Sequence, residues 1–116
     1  MTIRYKNQGF KQTDTSKTTV FTCPSDATVI VKSIYCANND ASSSILVNMN
    51  FVDSSDSNTE YEFFRDDLAA KEQVNASPQG LNLEAGDAIT VTAATGSSKI
   101  QGLINYALID RSQENG

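Results

Sequence analysis

The stretch Leu81–Ala94, "LNLEAGDAITVTAA", holds two period-two runs divided by a corner. Leu81 and Leu83 project to one side, Glu84-Ala85-Gly86-Asp87 turns the chain, and Ile89, Val91 and Ala93 resume an inward face opposite Thr90 and Thr92. Glycine supplies the positive φ such a corner needs, and Asp favours turns. Glu84 and Asp87 are read as corner residues and not as an acid site, because the sequence identifies no second carboxylate pair or cation opposite them. Strand, tight turn and strand in so short a space is the layout of an antiparallel β protein.

The rest of the chain repeats it. Runs rich in β-branched and aromatic residues, separated by Gly, Pro, Ser, Asn and Asp, predict strands at 18–23, 28–37, 44–52, 59–65, 72–76, 80–83, 88–94 and 99–109. In 44–52, Ile45, Val47, Met49 and Phe51 share one face and Asn48 and Asn50 the other. In 99–109 both sets are apolar, Ile100, Ile104, Tyr106 and Leu108 against Leu103, Ala107 and Ile109. That strand should be covered on both sides, with a neighbouring subunit as one candidate cover. "DDLAAK", 66–71, reads either as one turn of helix or as a loop crossing a sheet edge. About eight short antiparallel strands close most naturally as an all-β, two-layer β-sandwich, jelly-roll or immunoglobulin-like in winding. The organisation expected is an N-terminal arm, 1–17, a β-sandwich domain, 18–110, and a flexible C-terminal tail, 111–116.

Composition removes most chemistry. The 116 residues fit one domain that buries roughly two-thirds of its unfolded surface. The net charge is −5 and the nine Lys and Arg are scattered singly, so no basic stripe exists for a phosphate backbone and nucleic acid is not an expected partner. Apolar runs fall far short of the ~20 residues that cross a bilayer, and "MTIRYKNQGF" has no hydrophobic signal core. A soluble, unexported chain without a membrane partner is expected. Histidine is absent, which removes the usual general base, the Ser-His and Cys-His pairs and the commonest zinc ligand. No catalytic residue, cofactor or metal is predicted. "DSSDSNTE", 53–60, lacks the glycine and the ligand spacing of a calcium loop and reads as a solvated hairpin loop. Asn75-Ala76-Ser77 matches the N-glycosylation pattern, but Pro78 follows and no export signal is present.

Two segments carry candidate contacts. In "EYEFF", 60–64, strict alternation cannot bury both Phe63 and Phe64 on one face. If Tyr61 and Phe63 face the core, Phe64 lies outside with Glu60 and Glu62 as a contact anchor; the alternative is a bulge or loop that covers it. The arm spaces Ile3, Tyr5 and Phe10 through polar residues, which suits either a frayed tail or docking in grooves of a partner. Ile3, Tyr5, Phe10 and Phe64 are the interface candidates.

The segments "TTVFTCPSDATVIVKSIYCANND", "LNLEAGDAITVTAA" and "KIQGLINYALID" together resemble small virion proteins of tailed bacteriophages, through Pro24, Ala37-Asn38, Leu83 to Asp87 and Tyr106. The resemblance covers about four-fifths of the chain and rests on turn and strand features. It implies a non-enzymatic structural protein of a phage particle, a capsid decoration or cement protein or a neck, tail or fibre component. Its implied partners are other virion proteins, with homo-oligomers, and its place is the virion after synthesis in the host cytoplasm. The alternative is a carbohydrate-binding or adhesive β-sandwich module gripping sugars with Tyr5, Tyr35, Tyr61 or Tyr106.

Cys23 and Cys36 are expected to be free thiols. If 28–36 is one extended strand, its ends lie ~26 Å apart, and the five-residue connection from Cys23 reaches at most ~18 Å back. The remaining ~8 Å exceeds the roughly 7 Å between Cα atoms that a disulfide tolerates.

Overall fold

The structure, a computed structural model, describes residues 2–111. Nine strands lie among them: β1 (Thr2–Lys11), β2 (Thr18–Thr22), β3 (Ala27–Asn38), β4 (Ile45–Asp53), β5 (Thr59–Leu68), β6 (Gln73–Asn75), β7 (Asn82–Leu83), β8 (Ala88–Ala93) and β9 (Ile100–Asp110). One sheet has the order β1-β9-β3-β6, with β7 also paired to β3, and the other the order β2-β8-β4-β5. All pairs are antiparallel.

The pairing is nested. β4 pairs with β5, β3 with β6 and β7, β2 with β8, and β1 with β9, while the consecutive strands β1 to β4 alternate between the sheets. A long two-armed ribbon wound over itself in this way is a jelly roll, with the short β6 and β7 sharing one strand position. Of the two windings open to the sequence, this is the one adopted.

The core lies between the sheets and follows the alternation. β4 contributes Ile45, Val47 and Met49, β8 contributes Ile89, Val91 and Ala93, and β9 contributes Ile100, Ile104 and Tyr106. Phe21 meets the Tyr106 ring edge-on, with centroids 4.7 Å apart. β3 buries Val29 and Val31, then Ile34 and Cys36, a change of parity that an unbroken strand could not make. The register shift between Val31 and Ser33 restores the inward face and turns Lys32 outward.

The Leu81–Ala94 corner is a turn in which the Asp87 N–H donates to Glu84 O at 3.0 Å and Gly86 has φ +85°. Asp87 is nevertheless buried. Its carboxylate accepts from the Glu84 N–H at 2.8 Å and from the Ser54 N–H and Oγ at 3.0 Å each. The acid ties the corner to the loop after β4.

Several expectations are revised. Residues 2–11, read as part of an arm, form the edge strand β1 and pair with β9 over their whole length. The loop beyond is fastened by fully buried Gln12, whose Nε2 donates to Asp14 O, Ser16 O and Thr18 Oγ1. Segment 66–71 is not helix: β5 runs to Leu68, and the turn that follows, with Lys71 at φ +67°, crosses from the β5 edge of one sheet to β6 at the edge of the other. Asn75 is occupied structurally, its Oδ1 accepting from the Ile34 and Ser77 N–H groups. At the C-terminus, the Arg111 N–H donates to Asp26 O at 2.7 Å; the rest of the predicted tail, 112–116, lies outside the described residues.

Candidate interaction surface

The outer face of the β1-β9-β3 sheet is unusually apolar. Cross-strand partners share a face, so Ile3 lies beside Ile109, Tyr5 beside Ala107 and then Ile30, and Gly9 beside Leu103 and then Tyr35. Five of these side chains are exposed: Tyr5 at 76%, Ile3 at 53%, Tyr35 at 51%, Ile30 at 39% and Leu103 at 37%. Between the two apolar rows runs a polar one, Asn7, Asn105 and Ser33, in which Asn105 Nδ2 donates to Ser33 Oγ at 2.9 Å. Lys32, displaced by the bulge, holds its Nζ 4.8 Å from the centre of the Tyr5 ring. From Ile3 to Gly9 the face runs ~20 Å along the strands and ~10 Å across three of them, an area on the order of a few hundred Å². Patches of that size on a small protein commonly serve contacts.

The four interface candidates separate. Ile3 and Tyr5 are on this face. Phe10 lies opposite Gly102, turns inward and packs against the core. Gly102 leaves room for it: an added Cβ would collide with the Phe10 ring and with the Tyr35 carbonyl. Phe64 also faces inward, opposite buried Met49, because the register shift after Met49 leaves Phe63 as the bulge residue and lets both rings pack against the core. Tyr61 is exposed rather than buried and donates its hydroxyl to Asp56 Oδ2 at 2.9 Å, a bond that raises its pKa. Of the others, the sequence points to Leu103 through the second apolar face of 99–109 and to Tyr35 only as a sugar-gripping aromatic, while Ile30 is not singled out, although Ile30 and Tyr35 stand out of phase with the buried set of β3.

The opposite outer face is mostly polar, with Leu46 as an exposed apolar side chain at the end of β4. Asn48 Nδ2 donates to Glu62 Oε1 at 2.9 Å and Asn50 Nδ2 to Glu60 Oε1 at 3.3 Å. Lys17 bridges to Glu60 at 2.6 Å and Arg65 to Glu62 at 3.0 Å. The Lys17 ammonium and the Asn50 amide lower the pKa of the exposed Glu60 carboxyl. Burial pushes the Cys36 thiol up to about 12 and, with the Asp87 charge, raises that of Cys23. Both cysteines are free and buried, and neither is poised as a nucleophile. No group of three or more His, Cys, Asp or Glu is placed to hold a metal among the described residues.

These features define a jelly-roll β-sandwich with one apolar and one polar outer face. The chain is similar in structure to a chain of the acid-stable capsid of Helicobacter pylori bacteriophage KHP30, with a TM-score of 0.60, 16% identity, and coverage of 97% of this chain and 90% of that one. At that identity the likeness establishes the shared fold. Lower similarity, at TM-scores of 0.41 and 0.38 with 8% and 7% identity, links 93% and 95% of the chain to 31% and 34% of chains from infectious bursal disease virus particles. No protein-family model and no curated protein matches the sequence.

Proposed function

We propose that the protein is a non-enzymatic structural component of a tailed-phage particle, a decoration or cement protein that docks on the capsid shell through the outer face of the β1-β9-β3 sheet. The observation that carries this reading is the apolar face itself, set on a jelly roll that matches a KHP30 capsid chain almost end to end. A face of a few hundred Å² is smaller than the ~800 Å² per partner of a stable one-to-one complex. Copies that also contact one another on a symmetric lattice bind as a linked set and gain avidity that one copy lacks, which suits a shell-bound protein. Synthesis in the host cytoplasm agrees with two buried free thiols.

The test is mass spectrometry of purified particles of the virus that encodes the chain, followed by rebinding of the isolated protein to particles stripped of it. A copy number comparable to that of the major capsid protein is expected, and Tyr5→Ser should abolish rebinding. A few copies per particle would assign a neck, tail or fibre position instead. Absence from the particle, with binding on a glycan array, would replace this reading by that of an adhesive module.

A further inference from the structure

Among the described residues, the two longest edge strands without an outer partner carry opposite charge. β1 ends one sheet and β5 ends the other, and each is ten residues long. β1, "TIRYKNQGFK", holds Arg4, Lys6 and Lys11 and no acid; β5, "TEYEFFRDDL", holds Glu60, Glu62, Asp66 and Asp67 against Arg65. The strands thus carry +3 and −3, and Lys17, bridged to Glu60, brings the β5 side to −2. The strand orders set them at opposite sides of the molecule: β1 stands over β2, across the cleft lined by Lys6, Gln8, Val20 and Phe21, while the end of β5 is held to β3 by the Asn38 amide on Leu68 O.

We propose that β1 of one copy pairs edge to edge with β5 of a second copy, joining protomers head to tail into a ring or filament. An exposed long edge strand is a template for another strand, and two ten-residue edges satisfy about ten main-chain hydrogen bonds when paired. Charge selects the partner. β1 against β1 sets +3 on +3 and β5 against β5, with Lys17 bridged to Glu60, sets −2 on −2, so the like-edge, two-fold contacts are repelled. The unlike contact is heterologous, and because β1 and β5 face away from each other each copy can use both edges at once. The inference does not rest on the virion reading, since it is scored on the isolated protein.

The test is sedimentation velocity of the full chain and of two charge-reversed forms, Arg4→Glu with Lys6→Glu, and Asp66→Lys with Asp67→Lys. All four residues are exposed, so the fold should persist, and circular dichroism checks it. Wild type should assemble, with affinity falling about tenfold or more as salt rises from about 50 mM to about 1 M, where screening acts over ~3 Å. Each reversed form alone should be monomeric. Mixed, they regain complementary edges and should assemble as species with equal numbers of each. A wild-type protein that stays monomeric at the highest attainable concentration overturns the proposal. So does assembly that survives either reversal, or failure of the two folded variants to assemble on mixing.

Discussion

Replacing Asp87 by Ala tests whether the corner after β7 is held by a buried carboxylate. The side chain is 3% exposed and accepts three hydrogen bonds, two from backbone N–H groups (Ser54, Glu84) and one from the Ser54 hydroxyl. Truncation leaves the hydroxyl a partner, Ala85 O at 2.9 Å, but strands both backbone donors. An unsatisfied buried donor costs about 1–3 kcal/mol, and water reaching this partly buried corner offsets some of it, so the loss should be about 3 kcal/mol. An unfolding entropy of about 2.1 cal/mol/K per residue over 116 residues makes this roughly a 12 °C fall in Tm. Asp87→Asn keeps one acceptor oxygen and should lose less than half as much. Calorimetry with urea melts gives the magnitude, and amide exchange reports the place: the Ser54 and Glu84 amides should lose protection before the core strands. A loss below about 1 kcal/mol, or retained protection at both amides, would refute the reasoning.

Gly102→Ala should destabilise by about 1–3 kcal/mol in urea melts, because its Cβ meets a backbone carbonyl of β3 that no rotamer change can move. Tyr5→Ser, on an exposed face, should leave stability within about 0.5 kcal/mol of wild type while abolishing attachment to stripped particles, as read by pelleting. The Cys36 pKa is raised on folding from 9.0 to about 12, so the folded state holds this proton where the unfolded state has lost it. Stability should be intact below pH 9 and fall between pH 9 and about 12, and alkaline urea melts of Cys36→Ala should lack that part of the slope.

What the sequence disclosed follows from how strongly one face was buried. β4 and β8 alternate apolar and polar because one face meets the core and the other meets water or polar side chains, so their register was legible. β1 alternates as well, but inversely. Its inward-phase side chains are the exposed Arg4 and, lining the open cleft beside β2, Lys6 and Gln8, while Ile3 and Tyr5 point outward, so the usual contrast is missing and the segment reads as a tail. The clue lay in β9, whose two apolar faces require cover. β9 sits between β1 and β3, and part of that cover, Tyr5 beside Ala107, comes from the segment read as an arm.

The two bulges mark a second limit, for each sits where period-two reading breaks down. In β3, Val31 and Ile34 have opposite parity; in β5, Phe63 and Phe64 are adjacent. A strand that must bury both members of such a set inserts one residue, and the bulge changes the fate of the side chain at the break. In β5 it brings Phe64 inward and removes the anchor that alternation implied. In β3 it frees Lys32 to lie over Tyr5 and sets one cation within the apolar face. Lys32 joins Arg4, Lys6 and Lys11 of β1 on the β1-β9-β3 sheet, against Asp110 of β9, while β4 and β5 carry Asp53, Glu60, Glu62, Asp66 and Asp67 against Arg65. The net charge of −5 therefore conceals a basic and an acidic side, a separation that appears only once strand order is known. Partner choice by opposed edges depends on that separation and not on the total.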